Sequence, residues 1–150
     1  MPVEEYVDIL KNSGKILGID IGDKRYGFAI SDSSKKIALP YKVIEYNDIE
    51  EIKNFIIEVI ERENIIEIVA GMPYKLDGTE SAQTLKVKEH IKFLKSFINI
   101  PIKEFDERLT TSMAHMSGKA FNVNNKKRKK SIDKIAATII LQNYLDSLYF

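Results

Sequence analysis

The chain has 150 residues, of which 44% are hydrophobic, and this size and composition are typical of one globular domain. It has no cysteine and two histidines, which excludes disulfides, thiolate zinc sites, cysteine nucleophiles and histidine-rich metal centres. The net charge of +1 excludes no class of partner, but the charges are unevenly spread. Most of the charged residues between positions 45 and 67 are acidic, whereas residues 126–130 form the uninterrupted basic run KKRKK.

No segment has the pattern of an export or membrane-spanning sequence. Residues 1–14 are polar and lack the apolar centre of a signal peptide, and no run approaches the roughly 20 apolar residues that span a bilayer. We therefore expect a soluble, cytoplasmic protein that does not bind membranes. It is expected to form one domain over residues 1–150, with residues 1–14 as an N-terminal extension.

The first half of the chain predicts three consecutive strands. They are placed at Lys15–Ile21, Arg25–Ser31 and 37–45, with a tight turn at Gly22 between the first two. Pro40 lacks a backbone donor, so the third strand is predicted to lie at a sheet edge or to contain a bulge. A helix is then predicted to begin after the acidic residue at position 48, where isoleucines recur at helical spacing.

The second half alternates between strands and helices. Strands are predicted at 65–70 and 101–105, and helices at about 79–97, from 110 or 111 to 118, and from 131 onward. The order β-β-β-α-β-α-β-α-α predicts an α/β fold in which a five-stranded mixed sheet is flanked by helices. The buried side of the long helix is predicted to consist of Leu85, Val87, Ile91, Leu94 and Ile98.

Asp20 is the first candidate for chemistry, since it lies near the end of an apolar strand between Ile19 and Ile21. A carboxylate there is costly to bury unless it is paired, protonated or bound to a cation. Gly22 and Gly27 are suited to the close approach of a backbone, a phosphate or a metal. The alternative is an exposed Asp20 beside a hairpin turn, and the residues alone leave both interpretations open.

Two further acidic positions follow later elements. Asp106 and Glu107 come at the end of the fifth strand, where functional sites collect in α/β folds. Adjacent residues of a strand point to opposite faces, so only one of them is expected to face Asp20, and we favour Glu107. Asp133 lies near the first turn of the last helix, where an acid also complements the helix dipole.

Acids from three separate elements are typical of a site for hard cations. Two Mg²⁺ ions about 4 Å apart activate a water and stabilise the leaving oxygen of a phosphodiester. Mg²⁺ and Mn²⁺ are favoured because both prefer oxygen ligands. Nucleic acid is therefore the predicted partner, and its backbone is expected to contact Lys24, Arg25, Arg108, Lys126, Lys127, Arg128, Lys129 and Lys130.

Four motifs resemble those of the YqgF family, also called the RuvX family. They are GIDIGDKRYGFAISD, GMPYKLDGTES, FDERLTT and KKRKKSIDKIAATIILQNYLD, in this order, and the similarity extends over about residues 15–146. The resemblance implies an RNase H-like fold and a metal-dependent nuclease that processes the 5′ end of precursor 16S rRNA during ribosome maturation. It also implies that Asp20, Glu107 and Asp133 are the catalytic, metal-binding acids.

Three other functions compete with this interpretation. A Holliday junction resolvase would use the same acids, but it needs two active sites on one symmetric DNA junction, whereas we expect a monomer or a weak homodimer. A non-catalytic RNA-binding assembly factor would keep the basic run and tolerate loss of Asp20. A sugar-kinase or actin-like ATPase would need a second domain, for which this chain has little room.

Overall fold

The computed structural model of the protein describes residues 2–5, 13–108 and 125–149, and for residues 125–134 it describes the backbone alone. Five strands and three helices lie wholly within these ranges, and residues 3–5 are also helical. They are β1 (Lys15–Ile21), β2 (Arg25–Ser31), β3 (Ala38–Glu45), α1 (Ile49–Glu63), β4 (Ile65–Met72), α2 (Ala82–Lys95), β5 (Ile102–Asp106) and α3 (Asn125–Ser147).

The strands form one mixed sheet in the order β3-β2-β1-β4-β5. The first three are joined as an antiparallel meander, whereas β4 is parallel to β1 and β5 is parallel to β4. The predicted five-stranded mixed sheet is therefore confirmed. Because β1, β4 and β5 run in one direction, their carboxyl ends meet at the same edge of the sheet, and the β1–β2 turn lies there too.

The edge strand β3 carries both features that Pro40 predicts. It pairs with β2 alone, and the register shifts between Phe28 and Ala29, so that Pro40 pairs with Ala29 while Lys42 pairs with Phe28. The extra residue, Tyr41, forms a bulge at the place where proline cannot donate to the ladder. The strand begins at Ala38, one residue later than predicted.

Helices cover both faces of the sheet. On one face, α1 and α2 pack against the odd-numbered residues of β1, such as Leu17 and Ile19. On the other face α3 crosses β1 closely, because a Cβ added at Gly18 would lie 2.8 Å from the Cβ of Leu141 and 3.2 Å from the carbonyl oxygen of Ala137. None of the helices in the described residues is long and apolar enough to cross a membrane.

Two boundaries around α2 differ from the predictions. β4 continues through Met72, whereas the sequence pattern predicts that this strand ends at residue 70. α2 begins at Ala82 rather than near 79, because Ser81 is its N-cap and forms a capping box with Thr84. Thr84 is buried and donates to the carbonyl oxygen of Pro73 at 2.6 Å. The prediction that Leu85 is buried is wrong, since this neighbour of Thr84 is 53% exposed.

The last helix also begins earlier than predicted. α3 starts at Asn125 and not at residue 131, so the backbone of the basic run 126–130 belongs to its first turns. A run of like charges weakens a helix in isolation, which is why the sequence pattern favours a later start. The helix predicted between 110 and 118 lies outside the described residues.

A buried phenol and a histidine join β2 to α2. The Tyr26 hydroxyl lies 2.6 Å from Nδ1 of His90, and Tyr26 is fully buried. Burial lowers the pKa of His90, and the opposing influence of the acids at positions 23 and 89 is smaller. His90 is therefore neutral in the folded protein at neutral pH, a role that the sequence pattern did not indicate.

This lowered pKa predicts that the contribution of His90 to stability falls in mild acid. Below about pH 6.5 the unfolded chain protonates His90 while the folded chain resists protonation, so this contribution to the free energy of unfolding falls as the pH falls towards the folded-state pKa. Urea unfolding at pH 7 and pH 5 should therefore show that His90→Gln gains stability relative to the native protein as the pH is lowered. The His115→Gln variant is the control, and an equal change of stability in His90→Gln and the native protein would contradict this account.

Candidate active site

Asp20 lies one residue before the end of β1, on the face of the sheet covered by α3. Side chains alternate along a strand, and the even-numbered Ile16 and Gly18 face α3. Asp20 is half-buried there, and its cross-strand partner on β2 is Gly27. Gly27 is buried and has no side chain, so no side chain of β2 stands directly opposite the carboxylate of Asp20.

Glu107 follows β5 directly and lies on the same face. Its backbone N–H donates to the carbonyl oxygen of Met72 at 3.2 Å, which fixes the chain at the carboxyl end of β4. Its Oε2 atom is buried against Gly71. A Cβ added at Gly71 would overlap this oxygen and would lie 2.5 Å from Cδ1 of Ile140, so only glycine leaves room for the carboxylate.

The strand register brings both acids next to Gly71. Ile19 pairs with Ala70, and continuing this parallel register by one residue places Asp20 level with Gly71. Gly71 in turn pairs with Phe105, two residues before Glu107. Asp20 and Glu107 therefore flank one glycine, at the shared carboxyl edge of three parallel strands.

The electrostatics of Glu107 fit a cation at this position. Burial raises the pKa of its carboxyl to about 7, and the nearby charge of Asp106 acts in the same direction. A positive charge beside the carboxylate would favour the ionised form again. Carboxylate oxygens are the donors that Mg²⁺ and Mn²⁺ prefer, so the residues present suit such an ion.

The structure separates Glu107 from its neighbour. Asp106 is exposed and accepts from the backbone N–H of Arg108 at 3.1 Å and from its Nε at 2.7 Å. It pairs with Met72, whose side chain belongs to the core under α1 and α2. Asp106 therefore turns away from Asp20 and orders the chain around Arg108.

α3 runs antiparallel to β4, so its first turns extend past the edge that carries the two acids. The Tyr144 hydroxyl donates to Glu67 near the start of β4, whereas Ile140 lies at Gly71 near its end. The backbone of Asp133 is on α3, seven residues before Ile140. Its side chain, like those of Lys126, Lys127, Arg128, Lys129 and Lys130, lies outside the described ones. Among the described residues no group of three acids or histidines is placed to hold a metal.

The predicted cationic contacts are spread along the same edge. Lys24 is exposed in the β1–β2 turn, and Arg25 forms an ion pair with Glu45 at 3.6 Å. Arg108 is held by Asp106 and lies 3.4 Å from the carbonyl oxygen of Leu76. A cavity of about 680 Å³, here called the turn cavity, is lined by Asp23, Lys24, Arg25, Glu45, Tyr46 and Asn47.

A family model for RuvX, described as Holliday junction resolvase, matches residues 14–147. The chain belongs to the RuvX family. A relative from Clostridium botulinum (strain Hall) is 42% identical over 138 residues, which are 89% of this chain and 98% of the relative. One from Clostridium acetobutylicum is 41% identical over 138 residues, 89% and 99% of the two chains. Both are named "Putative pre-16S rRNA nuclease".

Solved structures with the same fold include Holliday junction resolvases. RuvC of Thermus thermophilus bound to a Holliday junction has a TM-score of 0.57 at 13% identity, covering 91% of this chain and 96% of RuvC. The fowlpox virus resolvase with its junction has a TM-score of 0.56 at 14% identity, covering 91% and 99%. These likenesses confirm the predicted RNase H-like fold. Family and fold together confirm the prediction of a nuclease, a hydrolase of phosphodiester bonds.

In this RuvX protein, the contact at Gly71 predicts the effect of adding one methyl group. Gly71→Ala should displace Glu107 and lower the cleavage rate per folded molecule by about a hundredfold, because small misplacements of a reacting group are costly. The matched control is Gly14→Ala, whose new methyl group would overlap Ile66 at the other end of the sheet. Both variants should lose about 1–3 kcal/mol of stability through overpacking. Equal cleavage rates in the two variants, corrected for the folded fraction, would refute the positioning role.

Proposed function

We propose that this protein is a Mg²⁺- or Mn²⁺-dependent endonuclease that processes the 5′ end of precursor 16S rRNA in the cytoplasm. The observation that carries the proposal is that Glu107 is packed against Gly71, a residue that the strand register places beside Asp20, on a sheet edge shared by three parallel strands. The name of the clostridial relatives supports the choice of substrate. We also infer one domain over residues 1–150, with 1–14 as an extension, and a monomer or weak homodimer.

Asp20, Glu107 and Asp133 would hold the metal, with two ions as the expected number. When bound, these ions supply an activated water and stabilisation of the leaving oxygen. The protein contributes rigidity: β1 fixes Asp20, the Met72 carbonyl fixes the backbone of Glu107, and Gly71 keeps the space for its carboxylate. Asp133 joins the set from α3, whose first turns extend past this edge.

Cationic side chains around the acids would hold the RNA backbone. Lys24 and Arg25 lie on one side of Asp20, and Arg108 follows Glu107 on the other. The basic run 126–130 would add charge from the start of α3. Such contacts release condensed counterions, so binding is expected to weaken steeply as the salt concentration rises.

The basic run gives this proposal a quantitative prediction. Replacing Lys129 and Lys130 with glutamine should weaken RNA binding and make the slope of log K against log salt shallower by about 0.7 for each phosphate that is no longer neutralised. The control replaces Lys92 and Lys95 of α2, which are exposed, with glutamine. Fluorescence anisotropy at several salt concentrations measures both slopes. An unchanged slope in the first variant would remove the basic run from the RNA-binding surface.

A second candidate function is cleavage of four-way DNA junctions. The description of the matching family and the resolvase fold favour it. The two functions differ in symmetry, because resolution of a junction uses two active sites and therefore a dimer. A non-catalytic assembly factor is the third candidate, and it predicts binding of precursor rRNA without cleavage.

One experiment separates the three candidates. Purified protein is incubated with precursor 16S rRNA or with a synthetic four-way junction, in Mg²⁺ or in Mn²⁺, and the product ends are mapped. We expect the precursor to be cut at the 5′ end of the 16S rRNA and the four-way junction to remain intact. Paired cuts in the junction alone would establish the resolvase function, and rRNA binding without any cut would establish the assembly factor.

A further inference from the structure

The turn cavity lies at the same edge of the sheet as the acidic site, and its wall formed by Arg25 and Glu45 is on the face that carries Asp20. Arg25 pairs across the strands with Glu45, two residues from the pair formed by Gly27 and Asp20. Two residues of a strand span about 7 Å, and residues two apart share a face. The Arg25–Glu45 wall of the cavity is therefore within reach of a nucleotide next to one held at Asp20.

Hydrogen bonds hold the floor of the turn cavity in place. The Tyr46 hydroxyl donates to two carbonyl oxygens, that of Gly22 at 3.1 Å and that of Asp23 at 3.0 Å. The backbone N–H of Tyr46 donates to the carbonyl oxygen of Lys24 at 3.0 Å. The ring of Tyr46 also packs edge-on against the buried ring of Tyr26, with centroids 5.6 Å apart. The cavity is thus preformed, so a ligand would not have to order it on binding.

The groups that line the cavity do not suit a phosphate alone. The lining combines the carboxylates of Asp23 and Glu45 with the cations Lys24 and Arg25, and Asn47 adds an amide. Carboxylates repel a phosphate but accept hydrogen bonds from hydroxyl groups. A ribonucleotide combines an anionic phosphate with a 2′-hydroxyl that both donates and accepts, and this hydroxyl is what distinguishes RNA from DNA.

We propose that the turn cavity binds one ribonucleotide of the substrate strand next to the cleaved phosphate, and that Glu45 and Asn47 contact its 2′-hydroxyl while Lys24 contacts its phosphate. This rests on the proposed RNA nuclease function. It makes Glu45 and Asn47 residues that select RNA over DNA. It also explains why the cavity contains carboxylates, which a surface that binds only phosphate would not need.

The direction in which one substitution changes the binding affinity tests the proposal. Glu45→Ala should weaken binding of a single-stranded oligoribonucleotide roughly threefold to tenfold, the effect of losing one hydrogen bond, and should not weaken binding of the same DNA sequence. If Glu45 acts only as a negative charge near the nucleic acid, its removal should strengthen RNA and DNA binding alike, which would overturn the proposal. The matched control is Glu61→Ala, an exposed acid on α1 outside the cavity. Thermal melts confirm that the variants are folded.

A scan of the oligoribonucleotide tests the same contact from the ligand side. Single 2′-deoxy substitutions are made at each position, and binding is measured by anisotropy in EDTA, so that metal-dependent cleavage does not interfere. We expect one position where the substitution weakens binding to the native protein several-fold but has no effect in Asn47→Ala. If no single 2′-deoxy substitution weakens binding although the protein cuts RNA in Mg²⁺, this inference is overturned while the proposed nuclease function stands. Absence of both RNA binding and RNA cleavage would overturn the proposed function with it.

Discussion

Replacing Asp20 with asparagine is expected to lower the rate of RNA cleavage at least about a thousandfold, which corresponds to roughly 4 kcal/mol of transition-state stabilisation. The substitution keeps the shape of the side chain and removes its charge, and the charge is what a hard cation requires. Asp20 is half-buried on β1 opposite Gly27, so an uncharged group of equal size should be accommodated without disturbing the sheet.

The measurement is a single-turnover rate with excess protein, together with the dissociation constant for the same RNA. Cleavage should disappear while the dissociation constant changes by less than about tenfold, because the cationic side chains that contact phosphates are intact. If Asp20→Asn cuts at the native rate, the acid has no part in the chemistry. If it loses binding and cleavage together, Asp20 serves the fold or the RNA contact rather than the reaction.

The second large effect separates two neighbouring acids. Glu107→Gln is expected to reduce cleavage by a similar factor, since the Oε2 atom of Glu107 is buried beside Gly71 and Glu107 is proposed as a metal ligand. Asp106→Asn provides a matched control, because it removes a charge one residue away from a side chain that pairs with Arg108 instead. We expect Asp106→Asn to retain most of the native rate.

Rates for both variants at saturating metal test this separation. A surface ion pair such as that between Asp106 and Arg108 contributes little to stability, so both variants should be as folded as the native protein. A loss of cleavage in Asp106→Asn as large as that in Glu107→Gln would mean that the two acids act together. Full activity in Glu107→Gln would exclude it from the site.

Local patterns predict much of the sheet. The bounds of β1 and β2 are those predicted, because alternating apolar residues and the Gly22 turn are strong local signals. The bulge at Pro40 is also predictable, since the missing donor acts wherever the strand pairs. The prediction for Leu85 is wrong because helical spacing alone does not show that Thr84 occupies the buried position, where it binds the carbonyl oxygen of Pro73.

The role of Gly71 could not be predicted from the sequence. A glycine between alanine and methionine is typical of a strand end, whereas in the fold it leaves room for the carboxylate of Glu107 and lies level with Asp20 in the strand register. This arrangement depends on the parallel pairing of β1, β4 and β5, which joins residues far apart in the chain. The sequence contains only an indirect indication of this role, which is a glycine inside an apolar strand with an acid after the next strand.

The central claim is that Asp20 and Glu107 together bind a divalent cation, and a titration with Mn²⁺ tests it most directly. The free Mn²⁺ is followed by electron paramagnetic resonance for the native protein, Asp20→Asn, Glu107→Gln and the control Asp106→Asn. We predict that the native protein and Asp106→Asn bind Mn²⁺ alike and that each of the other two variants loses this binding. Undiminished Mn²⁺ binding in either Asp20→Asn or Glu107→Gln would contradict the claim.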